Sequence, residues 1–318
     1  MHAELLTKLK ALGEPTRLRI VTLLLRGELT VSEIMQVLGQ SQPRVSRHLK
    51  LLADAGLCER YPEGGWVFYR LARSRVGERL AALLEEMARS DDPEIARDLV
   101  RLNEVRRLRA QTAQKYFEVA AEQWAKIRGL HFSEEAVEAA MLEAAGDRRF
   151  RLHLDVGTGT GRMLEIFAER AEDGMGVDLS REMLTVARSK MSEAGLVNRL
   201  VRQADATALP LEPGAADLIT VHQVLHYLDA PERAIAEWAR VLAEGGLLLL
   251  ADFETHGFEE FASEYHHAHL GFGRAELKSW LEAAGLTVRS LEPLVPAKQE
   301  DGLTVLICVA EKPTGKPS

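Results

Sequence analysis

The sequence predicts a multidomain chain: a small, mainly helical domain ending in a β-hairpin, then a larger α/β domain built on a parallel sheet. Three observations carry this expectation. The chain has 318 residues, a length that corresponds to about two domains. Up to about residue 88, short helices with apolar stripes are followed by one hairpin pattern. From Arg151 onward, short β-branched and leucine-rich runs alternate with amphipathic helical stretches, the pattern of parallel strands joined by crossover helices.

Composition narrows the class. At 46% apolar and 28% charged residues, the chain is not mainly disordered. The segment MHAELLTKLKALGEPTR has no long apolar core of a secretory signal. The apolar run 247–251 is far too short to span a bilayer. Cys58 and Cys308 are the two cysteines, too few for a disulfide framework or a cysteine metal cage. A cytoplasmic protein without membrane contact is expected.

Net charge is −8, but unevenly spread: residues 1–90 hold 14 Lys and Arg against 10 Asp and Glu, and residues 129–318 hold 18 against 31. A polyanion would therefore approach the N-terminal third. Asp91-Asp92-Pro93 is a turn and helix-start signal. From 94 to 128 there is neither glycine nor further proline, and Leu99, Leu102, Val105 and Leu108 recur at helical spacing. The expected organisation is a domain over 1–90, a helical linker over 91–129, an α/β domain over 130–312 and a disordered tail over 313–318.

In the first domain, ELTVSEIMQVLGQSQPRVSRHLKLLADAGL holds two helices around a tight turn at Gly39. Ile34 and Leu38 face inward on the first. Ser41 is a natural N-cap for the second, where Val45, Leu49 and Leu52 form a core face. Pro43, Arg44, Arg47 and Lys50 fall on the opposite face, with Gln42 at its start and Ser46 and His48 beside them. Basic donors without an acid until Asp54 are what a helix lying in a major groove requires. Residues 57–61 and 66–71 flank Pro62-Glu63-Gly64-Gly65 as a hairpin, a wing from which Arg60, Tyr61 and Tyr69 can reach a DNA backbone. Upstream, a helix breaks at Glu14-Pro15. A second apolar stripe, Val76, Leu80, Leu83 (or Leu84) and Met87, either packs on its own domain or forms a homodimer interface; the dimer is expected, since helix-turn-helix proteins use two half-sites.

ALGEPTRLRIVTLLL, QSQPRVSRHLKLLADAGL and GGWVFYRL, in this order, resemble the winged helix-turn-helix ArsR family of bacterial repressors over roughly residues 1–90. The resemblance implies a double-stranded DNA operator as partner. Metal sensors of that family carry cysteines where Thr30 and Ser32 stand here, so no metal site is carried over.

In the second domain, the strand LHLDV runs into Gly157-Thr158-Gly159-Thr160-Gly161 and a helix over 162–170. Such a turn lets backbone approach a ligand at the carboxyl edge of a parallel sheet, and by itself it serves dinucleotides and S-adenosylmethionine alike. Asp178 ends the second strand, where a ribose diol would sit. Asp205, after the third strand, is placed to accept from an adenine amino group. DLITV and GLLLLAD supply the fourth and fifth strands.

LDVGTGTGR, GVDLS, QADATALPL, ADLITVHQVLHYL and ARVLAEGGLLLLADF resemble the class I S-adenosylmethionine-dependent methyltransferases over roughly 130–312. The resemblance implies a Rossmann-like, seven-stranded, mostly parallel sheet, closed by an antiparallel hairpin over 286–292 and 303–311. It further implies that the 157–161 turn, Thr158 included, cradles the methionine moiety of S-adenosylmethionine or S-adenosylhomocysteine. Asp178, with Leu179 beside it, would hold the ribose, Asp205-Ala206 would bracket the adenine, Asp155 would order the loop or the amino group, and His222 would lie beside the sulfur.

Whether the domain catalyses is open at this level. Methyl transfer needs orientation and sometimes a base, for which His222, His226, Tyr227 and the cluster Tyr265, His266, His267 and His269 are candidates. That cluster reads as a cap, with Phe258, Phe261, Tyr265 and Leu270 closing a pocket, rather than as a metal site. Arsenic methyltransferases of this fold, also found fused to ArsR domains, use several cysteines; Cys308 alone argues against that activity. Fusions of this layout resemble repressors of methionine-cycle genes that respond to S-adenosylhomocysteine. The expectation is a DNA-binding regulator, a repressor, with a cofactor-shaped effector pocket; the alternative is an active methyltransferase on a small-molecule acceptor with an attached autoregulatory DNA-binding domain.

Overall fold

The computed structural model describes residues 2–63, 66–72, 79, 83, 92–128, 133–259, 261, 267–295 and 303–315. The chain divides into two compact units, Met1–Thr112 with Ser192–Val197, and Ala113–Met191 with Asn198–Ser318.

In the first unit, α1 (His2–Leu12) and α2 (Pro15–Leu24) break where the sequence predicts. The Glu14 carboxylate accepts the Arg17 N–H at 2.9 Å, and Pro15 sits at the first helical position, where a missing N–H costs nothing. A two-residue strand, β1 (Leu29–Thr30), leads into α3 (Val31–Leu38). Thr30 and Glu33 bond each other's backbone N–H groups in a reciprocal cap, which fixes the helix start. Gly39 ends α3 at φ +65, a left-handed conformation that favours glycine. The second helix, α4 (Gln42–Asp54), begins after Ser41, yet the Ser41 hydroxyl makes no capping bond, which corrects that expectation. Val45, Leu49 and Leu52 are fully buried.

β2 (Cys58–Glu63) and β3 (Trp66–Leu71) pair antiparallel, with Glu63 opposite Trp66, and β1 pairs β3 through Leu29 and Tyr69. Gly64 and Gly65 lie outside the described residues, as do Val76, Leu80, Leu84 and Met87; Leu83 of the expected stripe is exposed. α5 runs as one helix over Pro93–Arg128. Its first turns complete the core of this unit, with Leu102 and Val105 buried among Ile20, Ile34 and Leu49. Arg19 grips Asp98 through two hydrogen bonds of 2.6 and 2.7 Å, and Arg109 donates to Glu33 at 2.6 and 3.1 Å. The Asp98 pair is nearly buried, so removing one partner strands the other charge.

The second unit is a seven-stranded sheet. In chain order its strands are β4 (Phe150–Val156), β5 (Ala171–Asp178), β6 (Arg199–Gln203), β7 (Ala216–His222), β8 (Leu242–Phe253), β9 (Thr287–Leu294) and β10 (Val305–Glu311). The spatial order is β6-β5-β4-β7-β8-β10-β9, parallel from β6 through β8, with β10 antiparallel to both neighbours. Alternate residues face opposite sides: Leu248, Leu250 and Leu306 join one core with Trp238 and Leu277, while Leu249, Ala251 and Ile307 join another with Val137, Met141 and Phe167. Helices α6 (Glu134–Ala144), α7 (Arg162–Ile166), α8 (Arg181–Glu193), α9 (Pro231–Val241) and α10 (Arg274–Ala283) supply the rest of these layers. α7 is shorter than the helix expected over 162–170, because Phe167 leaves helical geometry and turns the chain into β5. Strand order reverses beside β4, and in open parallel sheets ligands bind at the carboxyl ends flanking such a reversal.

Candidate functional site

On α4, the helical period separates two faces. Gln42, Arg44, Arg47 and Lys50 are exposed, Ser46 and His48 half-buried. Burial holds the His48 imidazole below its ordinary value, with Glu14 opposing and Arg17, Arg44 and Arg47 adding to the shift. The positive charge on this face therefore belongs to the two arginines and the lysine. Arg60 is exposed on β2. Tyr69 is placed otherwise: it is buried in the core opposite Leu29, and its phenol is pushed up by burial, against the Arg60 guanidinium that bonds it.

In the second unit, Gly157, Gly159 and Gly161 all take positive φ, at +68, +50 and +83. A Cβ on Gly157 would lie 2.2 Å from Val224 Cγ2, so this glycine is required by space as well as by backbone. Asp178 at the end of β5 accepts the Gly159 N–H at 2.9 Å and the Ser180 N–H at 2.8 Å. Burial raises its carboxyl, and these backbone donors oppose the rise. Leu179, the next residue, is exposed, and its carbonyl is held by Gln203 at 2.9 Å. Asp205 accepts from the Thr207 N–H and hydroxyl, both at 2.8 Å. Neighbouring Ala206 is anchored by the Trp238 indole, which donates to its carbonyl at 3.0 Å.

Beneath the glycine turn runs a buried chain that sequence reasoning misses. The Thr220 hydroxyl donates to Asp155 at 2.7 Å and lies 2.7 Å from His153 Nε2. The hydroxyl's proton is committed to the carboxyl, so His153 donates from Nε2. Burial pushes Asp155 up to about 7 and His153 down to about 3. Asp155 Oδ2 has no hydrogen-bond partner. At the end of β7, neither His222 Nε2 nor Gln223 Nε2 has one either, and burial lowers the His222 imidazole. Gln223 has φ +56, the left-handed conformation in a non-glycine residue, which is costly and clusters at ligand sites. β4 and β7 are adjacent, with Asp155 opposite Thr220. A left-handed glycine turn, with no room for a Cβ at Gly157, thus adjoins buried polar atoms left unsatisfied, a set that fits a polar cofactor.

His226 lies in a short 3-10 turn, Leu225–Tyr227. Its Nδ1 is 2.7 Å from Asp252 Oδ1, and Asp252 also accepts the N–H groups of Leu225 and Phe253 at 2.8 Å. Tyr227 is exposed in part. His267 is buried against His226, and His269 packs on Phe272. Phe261 is buried, and Phe258 and Leu270 pack beside it. Tyr265 and His266 lie outside the described residues. Among the described residues no group of three or more His, Cys, Asp or Glu is arranged to hold a metal ion, and no helix is long and apolar enough to cross a membrane.

Residues 14–60 match the model of bacterial regulatory proteins of the arsR family, and residues 154–250 match that of a methyltransferase domain. The chain is 41% identical over 98 residues to the arsenical resistance operon repressor of Escherichia coli, covering 30% of this chain and 83% of that one. It is 33% identical over 121 residues to the uncharacterized methyltransferase YcgJ of Bacillus subtilis, covering 38% of this chain and 48% of that one. Against its first methyltransferase relatives the chain spans about half of their length. In fold it is similar to phosphoethanolamine N-methyltransferase 2 of Haemonchus contortus, solved with phosphomonomethylethanolamine and S-adenosylhomocysteine. The TM-score is 0.50 at 19% identity, covering 56% of this chain and 52% of that one. Helix-turn-helix reader and Rossmann-like methyltransferase fold are therefore the two classes present. The chain belongs, through its N-terminal unit, to the arsR family of bacterial regulatory proteins, with a methyltransferase domain fused behind it.

Proposed function

We propose that this chain is a homodimeric DNA-binding regulator, a repressor, whose methyltransferase domain binds S-adenosylhomocysteine or S-adenosylmethionine as an effector that sets DNA affinity. One observation carries the reading: an arsR-family reader and a glycine cradle with buried unsatisfied polar atoms share one polypeptide. Gln42, Arg44, Ser46, Arg47, His48 and Lys50 of α4 read the operator, with Arg60 on the wing. Leu6 and Leu9 of α1 and Leu108 of α5, apolar and exposed, supply surface for a second copy. Asp155, Gly157, Thr158, Gly159, Gly161, Asp178, Leu179, Asp205, Ala206 and His222 form the cofactor site, in which Asp178 takes the ribose hydroxyls.

If the effector weakens DNA binding about 100-fold, DNA weakens effector binding equally, a coupling of roughly 2.7 kcal/mol. α5 is the covalent route, since it begins in the core of the first unit and continues past Thr112.

The pocket half is tested by calorimetry on Asp178→Asn with S-adenosylhomocysteine. Losing one charged acceptor is expected to weaken binding roughly 10- to 100-fold while circular dichroism stays native. Unchanged affinity would contradict the assignment.

A further inference from the structure

We infer that His226 and Asp252 form a proton-accepting pair that serves methyl transfer to a small, ring-bearing acceptor with an ionisable O–H group. This rests on the cofactor reading above and goes beyond it, since an effector site needs no base.

The geometry begins with Asp252. Burial pushes its carboxyl up, but His226 and the N–H groups of Phe253 and Leu225 outweigh that and hold it below its ordinary value. An ionised carboxylate 2.7 Å from Nδ1 keeps the proton on that nitrogen, so the neutral ring carries its lone pair on Nε2. The carboxylate then steadies the imidazolium formed when Nε2 takes a proton, the division of labour known from buried His–Asp pairs in hydrolases. Three further anchors fix the ring's segment. Val224 lies against Gly157, which sets the turn beside the cofactor cradle. The His226 carbonyl accepts the N–H groups of Ala268 and His269 at 2.9 and 3.1 Å, tying the turn to the cap. Gln223 N–H donates to Ala251 at 2.8 Å, tying it to β8.

The surroundings select the acceptor. His226 packs against Tyr227, Phe253 and His267, with ring centroids 4.2, 5.1 and 4.0 Å away. His267 in turn meets Phe261 at 5.0 Å. The titratable groups next to His226 are Asp252, His222, Tyr227 and His267, with Glu138 acting on His222 and His256 on His267. Burial lowers His222 and takes His267 down to about 3, so both are neutral near pH 7. Asp252 is the carboxylate bonded to His226, and Glu138, which acts on His222, is itself ion-paired with Arg162 at 2.7 Å. A neutral aromatic hydroxyl finds rings to stack on.

In the step, the acceptor hydroxyl gives its proton to His226 Nε2 and its oxygen forms a bond to the methyl carbon. The carbon–sulfur bond breaks with its electron pair remaining on sulfur, so a sulfonium becomes a thioether. The imidazolium later returns the proton to water.

The test uses the full chain with 4-nitrophenol, whose phenolate has its own absorption band. With S-adenosylhomocysteine bound, wild-type protein is expected to bind the phenol and ionise it below the pH at which the free phenol does so. His226→Gln and Asp252→Asn are expected to bind S-adenosylhomocysteine but lose that spectral shift. With S-adenosylmethionine instead, formation of 4-nitroanisole is expected to fall roughly 100-fold or more in His226→Gln. Because Asp252→Asn keeps the shape of the pair, it answers the question even where His226→Gln folds poorly. Cofactor binding with no phenol binding, or with a free-phenol spectrum, overturns this inference alone. Absence of cofactor binding by the wild type overturns the cofactor reading and this inference with it.

Discussion

Gly157→Ala is expected to weaken S-adenosylhomocysteine binding roughly 100-fold and to lower the melting temperature by several degrees. Two costs combine. The residue sits at φ +68, where a Cβ costs about 1–2 kcal/mol. The added carbon also meets Val224 Cγ2 at 2.2 Å and Cγ1 at 2.8 Å, so the β7–turn connection must shift. That connection carries His222, Gln223 and His226, and a displacement there opens the cradle. The paired variant Gly157→Ala/Val224→Ala removes both methyl contacts and leaves the backbone cost and the 3.0 Å contact with the residue-224 Cβ, so it should recover part of the affinity. Calorimetry on the two variants measures this directly. Wild-type affinity in the single variant would mean that the turn does not hold the ligand.

Arg44→Ala/Arg47→Ala carries the other large effect. Both side chains are exposed on α4, opposite buried Val45, Leu49 and Leu52, so their removal leaves the core intact. A guanidinium bidentate to a guanine edge contributes about 1–3 kcal/mol, and each phosphate contact contributes about 0.9 to the salt slope. The double variant should therefore bind operator at least about 100-fold more weakly, with a shallower salt dependence and an unchanged thermal transition. Fluorescence anisotropy across a salt series separates these effects. An unchanged operator affinity would remove α4 as the reading helix.

Much of this architecture is legible in the sequence because it depends on local pattern. The helical period of Val45, Leu49 and Leu52, the Glu14-Pro15 break, the glycine turn and the apolar run over 247–251 each act within one or two turns of chain. What escaped depends on partners far apart in sequence. β1 has two residues, too few to show alternation, and exists because β3 lies beside it. The stripe of Leu99, Leu102 and Val105 is plain, but its partner core in α2, α3 and α4 is not. The same holds for the site. Asp178 and Asp205 stand at strand ends that pattern alone locates. His153, Thr220 and Asp155 meet only because β4 and β7 are neighbours, and Asp252 meets His226 across 26 residues. Tyr69 shows the converse limit: the hairpin pattern offers it to DNA, and pairing of β3 with β1 buries it. The positive φ of Gln223 has no sequence signal, since glutamine seldom adopts it.

In the proposed regulator, ligand in the second unit alters DNA affinity in the first. The most direct test of this coupling is an anisotropy titration of the full chain against an operator selected from a random DNA pool. Salt is held fixed, and the titration is run alone, with S-adenosylhomocysteine and with S-adenosylmethionine. A shift in DNA affinity of roughly 10- to 100-fold is expected with S-adenosylhomocysteine and a smaller one with S-adenosylmethionine. Superimposable curves under all three conditions, with both ligands shown by calorimetry to bind, would contradict it.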